Sequence, residues 1–369
     1  MRSQKIFSVF MLALFFIPAA LLGLTGGWQG LVIPGAVDFA DGFAAHLLEE
    51  SFSDVFAGRD LLCAATSALQ TALGRNQQNG YFYSPDGILH NLPDADERIT
   101  AQNLQALQTF AGAQSAPCYF LLSPTSAAIE QSKIPNLALE SLFNQKQYIQ
   151  RCYASLSSRF RTIDGYNSLF SHQSEYLFYH TDARLTAQGC YYLYVGAGEK
   201  LGYTARSMDY FSISHPLHNY KGNLSELVPY APVEPDLISL FHYQKNARGL
   251  HLVQDPLGEA VETQLYDLTL LDSNDPLQIY LGPDSGVTDI LADDPIYDGQ
   301  LLVFTDGSCD ALFPLIAIHY RQLRVVNLHA VTSAQLSQID PAQFDQVLFA
   351  FSVEQFGYDS CVSDMLGTP

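Results

Sequence analysis

Positive charge is scarce in this chain: 18 Lys and Arg stand against 38 Asp and Glu over 369 residues, a formal net charge of −20. A field of that sign repels phosphate backbones and anionic lipid head groups, so nucleic acid is excluded as a partner and the plainer consequence is solubility. Cysteine is sparse too. Cys63, Cys118, Cys152, Cys190, Cys309 and Cys361 are scattered, with no C-x-x-C pair and no zinc-finger spacing. That pattern gives no basis for a metal cage, and no cofactor is expected. Disulfides are chemically open to an exported chain, but a domain this large does not need them. No internal repeat and no low-complexity tract is found, so the chain is not built by repetition.

What is present begins with one long apolar run. Arg2 and Lys5 precede Ile6 to Leu24, nineteen residues broken only by Pro18 and small residues. That length nearly spans a bilayer core, and the basic flank keeps the amino terminus cytoplasmic. Residues 1–28 are therefore expected to be a single-pass membrane anchor with the remainder outside the cytoplasm. No clean small-x-small site precedes Gly26-Gly27, which favours an anchor over a cleaved signal peptide and a secreted product. From Val37 to Leu73 apolar residues recur at helical spacing, predicting amphipathic helices that lead away from the membrane.

With 48% hydrophobic residues the body is ordered, and α/β folds often exceed 250 residues as one unit, so residues 37–369 are read as one domain. Gly80 to Leu89 predicts a hairpin, aromatic β-formers flanking Pro85-Asp86-Gly87. Asn103 to Gln114 has helical periodicity. Cys118 to Leu122 is a continuous apolar run of the kind that forms a strand buried on both faces. The alternation returns as strand Leu301 to Phe304, helix Ala311 to Tyr320, strand Leu323 to Leu328 and strand Val347 to Phe351, which points to α/β winding. Between these halves, 207–294 is rich in Pro, Gly, Asn and Asp with short β-like stretches and is read as a loop-rich insertion.

Several phrases, taken in order, resemble those of the DHHW family, bacterial cell-surface proteins related to the SGNH-type alginate O-acetyltransferases. They are Phe56 to Asp60, Gly80 to Leu89, Phe120 to Thr125, Tyr179 to Thr186, Tyr192 to Tyr194, Gly222-Asn223, Leu281-Gly282 and Leu301 to Leu328. The resemblance covers most of the chain after residue 50. It implies an SGNH-hydrolase-like three-layer α/β/α fold with a mostly parallel sheet, and an envelope polysaccharide as partner.

The same resemblance exposes three departures. Where the family has Thr-Asp-His-His-Trp-Thr, this chain reads Thr181-Asp182-Ala183-Arg184-Leu185-Thr186, keeping only the aspartate of the naming phrase. In the related transferases an Asp-x-His pair supplies the general base for a serine; Arg184 stays protonated and offers no basic lone pair. Where the family resembles Lys-Asp-Ser-Tyr, the chain reads Thr305-Asp306-Gly307-Ser308, so the serine position falls on Gly307. Where the family tends to Gly-Gly-Asn, it reads Gly282-Pro283-Asp284, replacing potential oxyanion donors by a proline and a carboxylate.

The expectation is thus a catalytically degenerate member, with Asp182, Arg184 and Asp306 as a charged cluster in the old site. The alternative keeps an active esterase or O-acetyltransferase using Ser308, or more weakly Cys309, with His180 as a relocated base two residues before Asp182. A third reading is a purely structural or adhesion protein. His215 and His218 are weighed as a metal pair and set aside, since Pro216 argues against a regular helix and no carboxylates match. Tyr179, Tyr191 and Tyr192 can stack on sugars, although tyrosines so placed more often pack in a core.

Overall fold

The computed structural model describes residues 64–367, apart from 68, 70, 72, 74–75, 79, 135, 140–141, 244–248 and 294. The expected anchor at 1–28 and most of the amphipathic stretch from Val37 lie outside the described residues; among those described, no helix is long and apolar enough to cross a membrane. The chain divides into two compact units, 1–76 and 77–369. Of the first, residues 64–67 are helical.

The second unit opens with a small antiparallel sheet of β1 (Gln77–Gln78), β2 (Tyr81–Ser84) and β3 (Gly87–His90), with the expected hairpin turn at Pro85-Asp86. Its main sheet has eight strands. Five run parallel in the order β5 (Phe160–Ile163), β4 (Cys118–Ser123), β13 (Gln346–Ser352), β11 (Tyr297–Thr305) and β12 (Tyr320–Asn327). Every residue of β4 is buried, as its unbroken apolar run requires of a strand covered on both faces.

Alternation along β4 shows how the faces are covered. Phe120 packs against Tyr153 of helix α2 (Gln145–Leu156) and Phe356 of α6 (Val353–Tyr358). On the same face, Phe110 of α1 (Glu97–Ala113) sets its ring edge against Phe304 and Phe349. Leu121, one residue on, lies on the other face, where it and Leu193 of α4 (Ala187–Leu201) both approach Gly165 at the start of α3 (Gly165–Phe170). Each of these helices starts at a capping side chain, Asp96, Asn144, Asp164, Thr186 and Ser352 all accepting a backbone N–H, so that α1 begins at Glu97, ahead of the Asn103 from which helical periodicity is read.

Two stretches differ from their sequence expectation. The helix expected from Ala311 to Tyr320 is only α5 (Leu312–Ala317), because Tyr320 already opens β12 in register with Tyr297. Segment 207–294, expected as a loop-rich insertion with short β-like stretches, holds five strands. β6 (Phe211–Tyr220) and β7 (Asp236–Tyr243) form a separate antiparallel ribbon, while β8 (Leu250–Gln254), β9 (Val261–Gln264) and β10 (Val287–Ala292) extend the main sheet antiparallel beyond β12. Pro216 is tolerated in β6 because it falls where the register shifts between Ser214 and Leu217, so its missing N–H breaks no ladder.

The parallel strands β4, β11, β12 and β13 end at Ser123, Thr305, Asn327 and Ser352, and a cleft lies beyond these carboxyl ends, where open α/β sheets bind ligands. The central position of Phe120 sets a prediction. Phe120→Ala should lower unfolding free energy by about 3–5 kcal/mol, whereas Phe170→Ala, at a position 39% exposed, should cost under about 1 kcal/mol; urea melts of the two variants give the comparison.

Candidate functional site

The cleft has a volume of about 500 Å³, and the three departing blocks line it together: Asp182 and Arg184, Gly282 and Asp284, and Asp306, Gly307 and Ser308. Each is delivered by a different element. The first sits in a bent segment closed by a bridge between Phe178 and Leu185, just before α4. Buried Asp236, at the start of β7, shapes this bend by accepting the backbone N–H groups of His180 (2.6 Å) and Thr181 (2.8 Å), the Thr181 hydroxyl and the Tyr176 hydroxyl. Thr181 Oγ1 in turn accepts Gly222 N at 2.8 Å. A Cβ at Gly222 would come within 2.4 Å of the Asp182 Cβ, so only glycine lets the two loops close this tightly.

Asp182 points into the cleft and is taken by Arg184. The guanidinium donates from Nε to Asp182 Oδ1 (2.8 Å) and from Nη2 to Oδ2 (2.9 Å), and its other edge donates from Nη1 and Nη2 to the two oxygens of Asp275, each at 2.8 Å. Tyr220 adds a hydroxyl hydrogen bond to Asp182 Oδ2 at 2.7 Å. Burial alone would raise the Asp182 carboxyl, but the hydrogen bonds and charge of Arg184, helped by Tyr220, outweigh it and hold the carboxyl below the ordinary aspartate range.

Within the expected cluster, Arg184 bonds one of the two aspartates, Asp182, and takes its second partner from outside it. Arg184 bridges Asp182 to Asp275, whereas Asp306 accepts the backbone N–H groups of Ser308 (2.9 Å) and Ser352 (2.6 Å). Asp306 is thus a loop brace. Sequence reasoning misses Asp275 because it lies 91 residues from Arg184. Its one local signal is Asp275-Pro276, which caps the short helix Pro276–Tyr280.

Position 307 carries no side chain and turns at φ +82°, a left-handed geometry that glycine adopts freely. Its nearest outside neighbours in the direction of a Cβ would be Asn327 Nδ2 and Asp310 Oδ2 at 3.6 and 3.9 Å. Asn327 Nδ2 donates to Asp284 Oδ2 at 3.2 Å, tying the third block to the end of β12. Backbone donors here are engaged: Gly307 N on Thr305 Oγ1, Ser308 N on Asp306 and Gly282 N on Gln278 O. Ser308 is held through its carbonyl, which accepts Leu185 N at 3.2 Å, while its Oγ is covered and has no hydrogen-bond partner.

Among the described residues, no histidine lines the cleft. His180, expected as a relocated base, is on the other side of the bend, stacked edge-on to Tyr176 and packed against the β2–β3 turn at Gly87. Its ring lies 3.9 Å from Asp236, and burial depresses its pKa. The two residues do not share a face because the chain turns between them instead of running extended. Cys309 is buried and its thiol is pushed up by burial, so it offers no thiolate. His215 bonds Ser239 across the ribbon at 2.9 Å. The three tyrosines do not line the cleft: Tyr179 pairs its hydroxyl with Tyr280, Tyr191 is in the core, and Tyr192 bonds Glu175.

Charge in the cleft is lopsided. Asp182, Glu226, Asp275, Asp284, Asp306, Asp310 and Glu354 line it against Arg184 and Lys221. Asp310 registers the imbalance: burial, then the charges of Asp306, Asp284 and Asp275, push its carboxyl up to about 8 despite the opposing pull of Arg184.

A family model described as "DHHW protein" matches residues 95–326 of this chain. Among solved structures, a DHHW family protein from Eubacterium siraeum superposes with a TM-score of 0.63 at 15% identity, covering 78% of this chain and 95% of that one. Bacillus cereus PatB1 carrying a sulfonyl adduct gives 0.58 at 14% identity over 76% and 97%, and PatB1 without it gives 0.56 at 14% over 76% and 98%. No curated protein matches.

The electrostatics of the cleft make two variants informative. Arg184→Met should destabilise by about 3 kcal/mol at pH 7 by stranding a buried carboxylate. Because Asp182's folded pKa is depressed, the Arg184 contribution is present above the ordinary aspartate pKa and fades as pH falls below it, so the gap between variant and wild type should shrink in acid melts. Asp310 has the opposite sign. Its raised pKa costs stability increasingly as pH climbs from about 4 to about 8. Asp310→Asn should therefore match wild type near pH 4 and exceed it by roughly 1–3 kcal/mol at pH 8, read from denaturant curves at both pH values.

Proposed function

The chain belongs to the DHHW family, and from that premise we propose that it is a non-catalytic member which binds polysaccharide in its cleft. The observation that carries the reading is the state of Arg184. Its guanidinium is engaged on both edges by Asp182 and Asp275 at the position where the resemblance places a histidine base, while Gly307 has no hydroxyl. Serine-type acyl transfer requires a nucleophile, a proton acceptor and oxyanion donors within reach of one another. Glycine removes the first and a permanently protonated side chain the second. The third is opposed by engaged backbone donors and by carboxylates around any developing negative charge.

The cleft's chemistry also narrows the ligand. A surplus of carboxylates repels a polyuronate and suits a neutral or amine-bearing glycan, with Asn223, Asn274 and Gln278 as uncharged lining groups. The helices on both faces of the sheet support reading the fold as SGNH-hydrolase-like, three-layered α/β/α. We place the domain at the cell envelope, outside the cytoplasm, tethered by the apolar run Ile6 to Leu24 behind Arg2 and Lys5.

Hydrolysis decides between this reading and the esterase. The purified full chain should release p-nitrophenolate from p-nitrophenyl acetate at the rate of buffer, and Ser308→Ala should leave that rate unchanged. Turnover above buffer that Ser308→Ala abolishes would reject the proposal. In calorimetry at low salt, an amine-bearing glycan should bind at least tenfold more tightly than a polyuronate of equal length; the reverse order would remove the ligand assignment.

A further inference from the structure

Away from the cleft floor, the loop after β12 and the turn before helix α7 (Cys361–Leu366) bring three dissimilar side chains together. One ligand atom each from His329, Asp359 and Cys361 lies within 4.8 Å of the others, the one such group among the described residues. His329 Nε2 and Asp359 Oδ2 are 3.8 Å apart. In a tetrahedral zinc site with Zn–S of about 2.3 Å and Zn–N and Zn–O of about 2.0–2.2 Å, neighbouring ligand atoms sit roughly 3.3–3.7 Å apart. A small rotation of the exposed imidazole and the half-buried thiol closes the remaining distance.

We propose that His329, Asp359 and Cys361 form a binding site for a divalent, borderline-soft transition cation of the zinc class, with one coordination position left to water. The donor set argues for that class: thiolate and imidazole with one carboxylate select zinc-like ions over calcium or magnesium, which take oxygen cages. Binding forms a metal–sulfur bond as the Cys361 proton leaves to solvent. It replaces the hydrogen bond that the thiol donates to Leu328 O at 3.1 Å. A thiolate and a carboxylate then balance the dication. The neighbouring carboxylates of Asp359, Asp364 and Asp306 supply negative charge that favours a cation.

Supporting contacts hold the ligands in place before any ion arrives. Asp359 Oδ1 accepts Cys361 N at 2.6 Å, which turns Oδ2 towards His329. Fully buried Asn103 of α1 donates to the carbonyls of Phe356 and Asp359 and accepts Ser363 N, pinning the turn that supplies two of the three ligands. Asn327 Oδ1 accepts His329 N at 3.0 Å on the other side. Such fixed outer contacts are what a metal site needs beyond its ligands. Sequence spacing gives no hint, since 30 residues separate the histidine from Asp359 and the pattern matches no zinc motif.

The test uses the full chain, reduced and stripped of metal. Added Co²⁺ should give a near-ultraviolet thiolate-to-cobalt charge-transfer band that saturates at one equivalent and is displaced by Zn²⁺. Cys361→Ser should abolish the band. His329→Gln, a change at an exposed residue that leaves the fold intact, and Asp359→Asn should keep it while weakening Zn²⁺ binding at least tenfold in a dye-competition assay. A band that persists in Cys361→Ser, or Zn²⁺ affinity equal in wild type and His329→Gln, overturns the assignment. Because these three residues are separate from the cleft, either outcome is independent of whether the chain hydrolyses p-nitrophenyl acetate.

Discussion

A guanidinium presents its N–H donors in one plane, and in this molecule two edges of that plane are occupied by carboxylates. Arg184 holds Asp182 from the same bend and Asp275 from a capped turn 91 residues away, each through two hydrogen bonds. The shape of the cleft follows from this bridge. It fixes the 180–186 bend against the segment before Pro276, while Leu185 N on the Ser308 carbonyl attaches the turn after β11. Without the cation two acidic side chains would face each other beside five further cleft-lining carboxylates, and the walls would repel.

On the proposed non-catalytic reading, the same bridge leaves this position without a base. A histidine at this position would share a proton with its aspartate and pass it on near neutral pH, whereas arginine only donates. On that reading, a guanidinium standing where the family resemblance places an imidazole acts as a structural tie. The adjoining changes are coherent with that role: Gly307 leaves room instead of a hydroxyl, and Asp284 accepts Asn327 Nδ2 where the family resemblance offers donors.

Much of the scaffold is legible in the sequence because burial on both faces leaves a plain mark. Cys118 to Leu122, Leu301 to Phe304 and Val347 to Phe351 are unbroken apolar runs, and all three are central parallel strands. The convergence of residues 182–184, 282–284 and 306–308 in one cleft is legible through the family phrases. Other features leave weaker marks. The ribbon strand β6 is polar along much of its length and contains Pro216, so neither periodicity nor propensity separates it from a loop. Tyr220 and Asp275 meet Arg184 from 36 and 91 residues away, and no local pattern encodes such a meeting. His180 is misplaced by sequence because its two-residue spacing from Asp182 reads as strand, whereas Asp236 collects both adjacent N–H groups and bends the chain there.

The most direct test of this account is a double-mutant cycle on Arg184→Met and Asp275→Asn, with unfolding free energies measured in urea at pH 7. Partners in one bridge should be coupled, with a non-additive energy of about 1–3 kcal/mol that vanishes when Asp275 is paired instead with a distant arginine such as Arg151. Strictly additive effects would contradict the claim that the arginine holds the two walls of the cleft together.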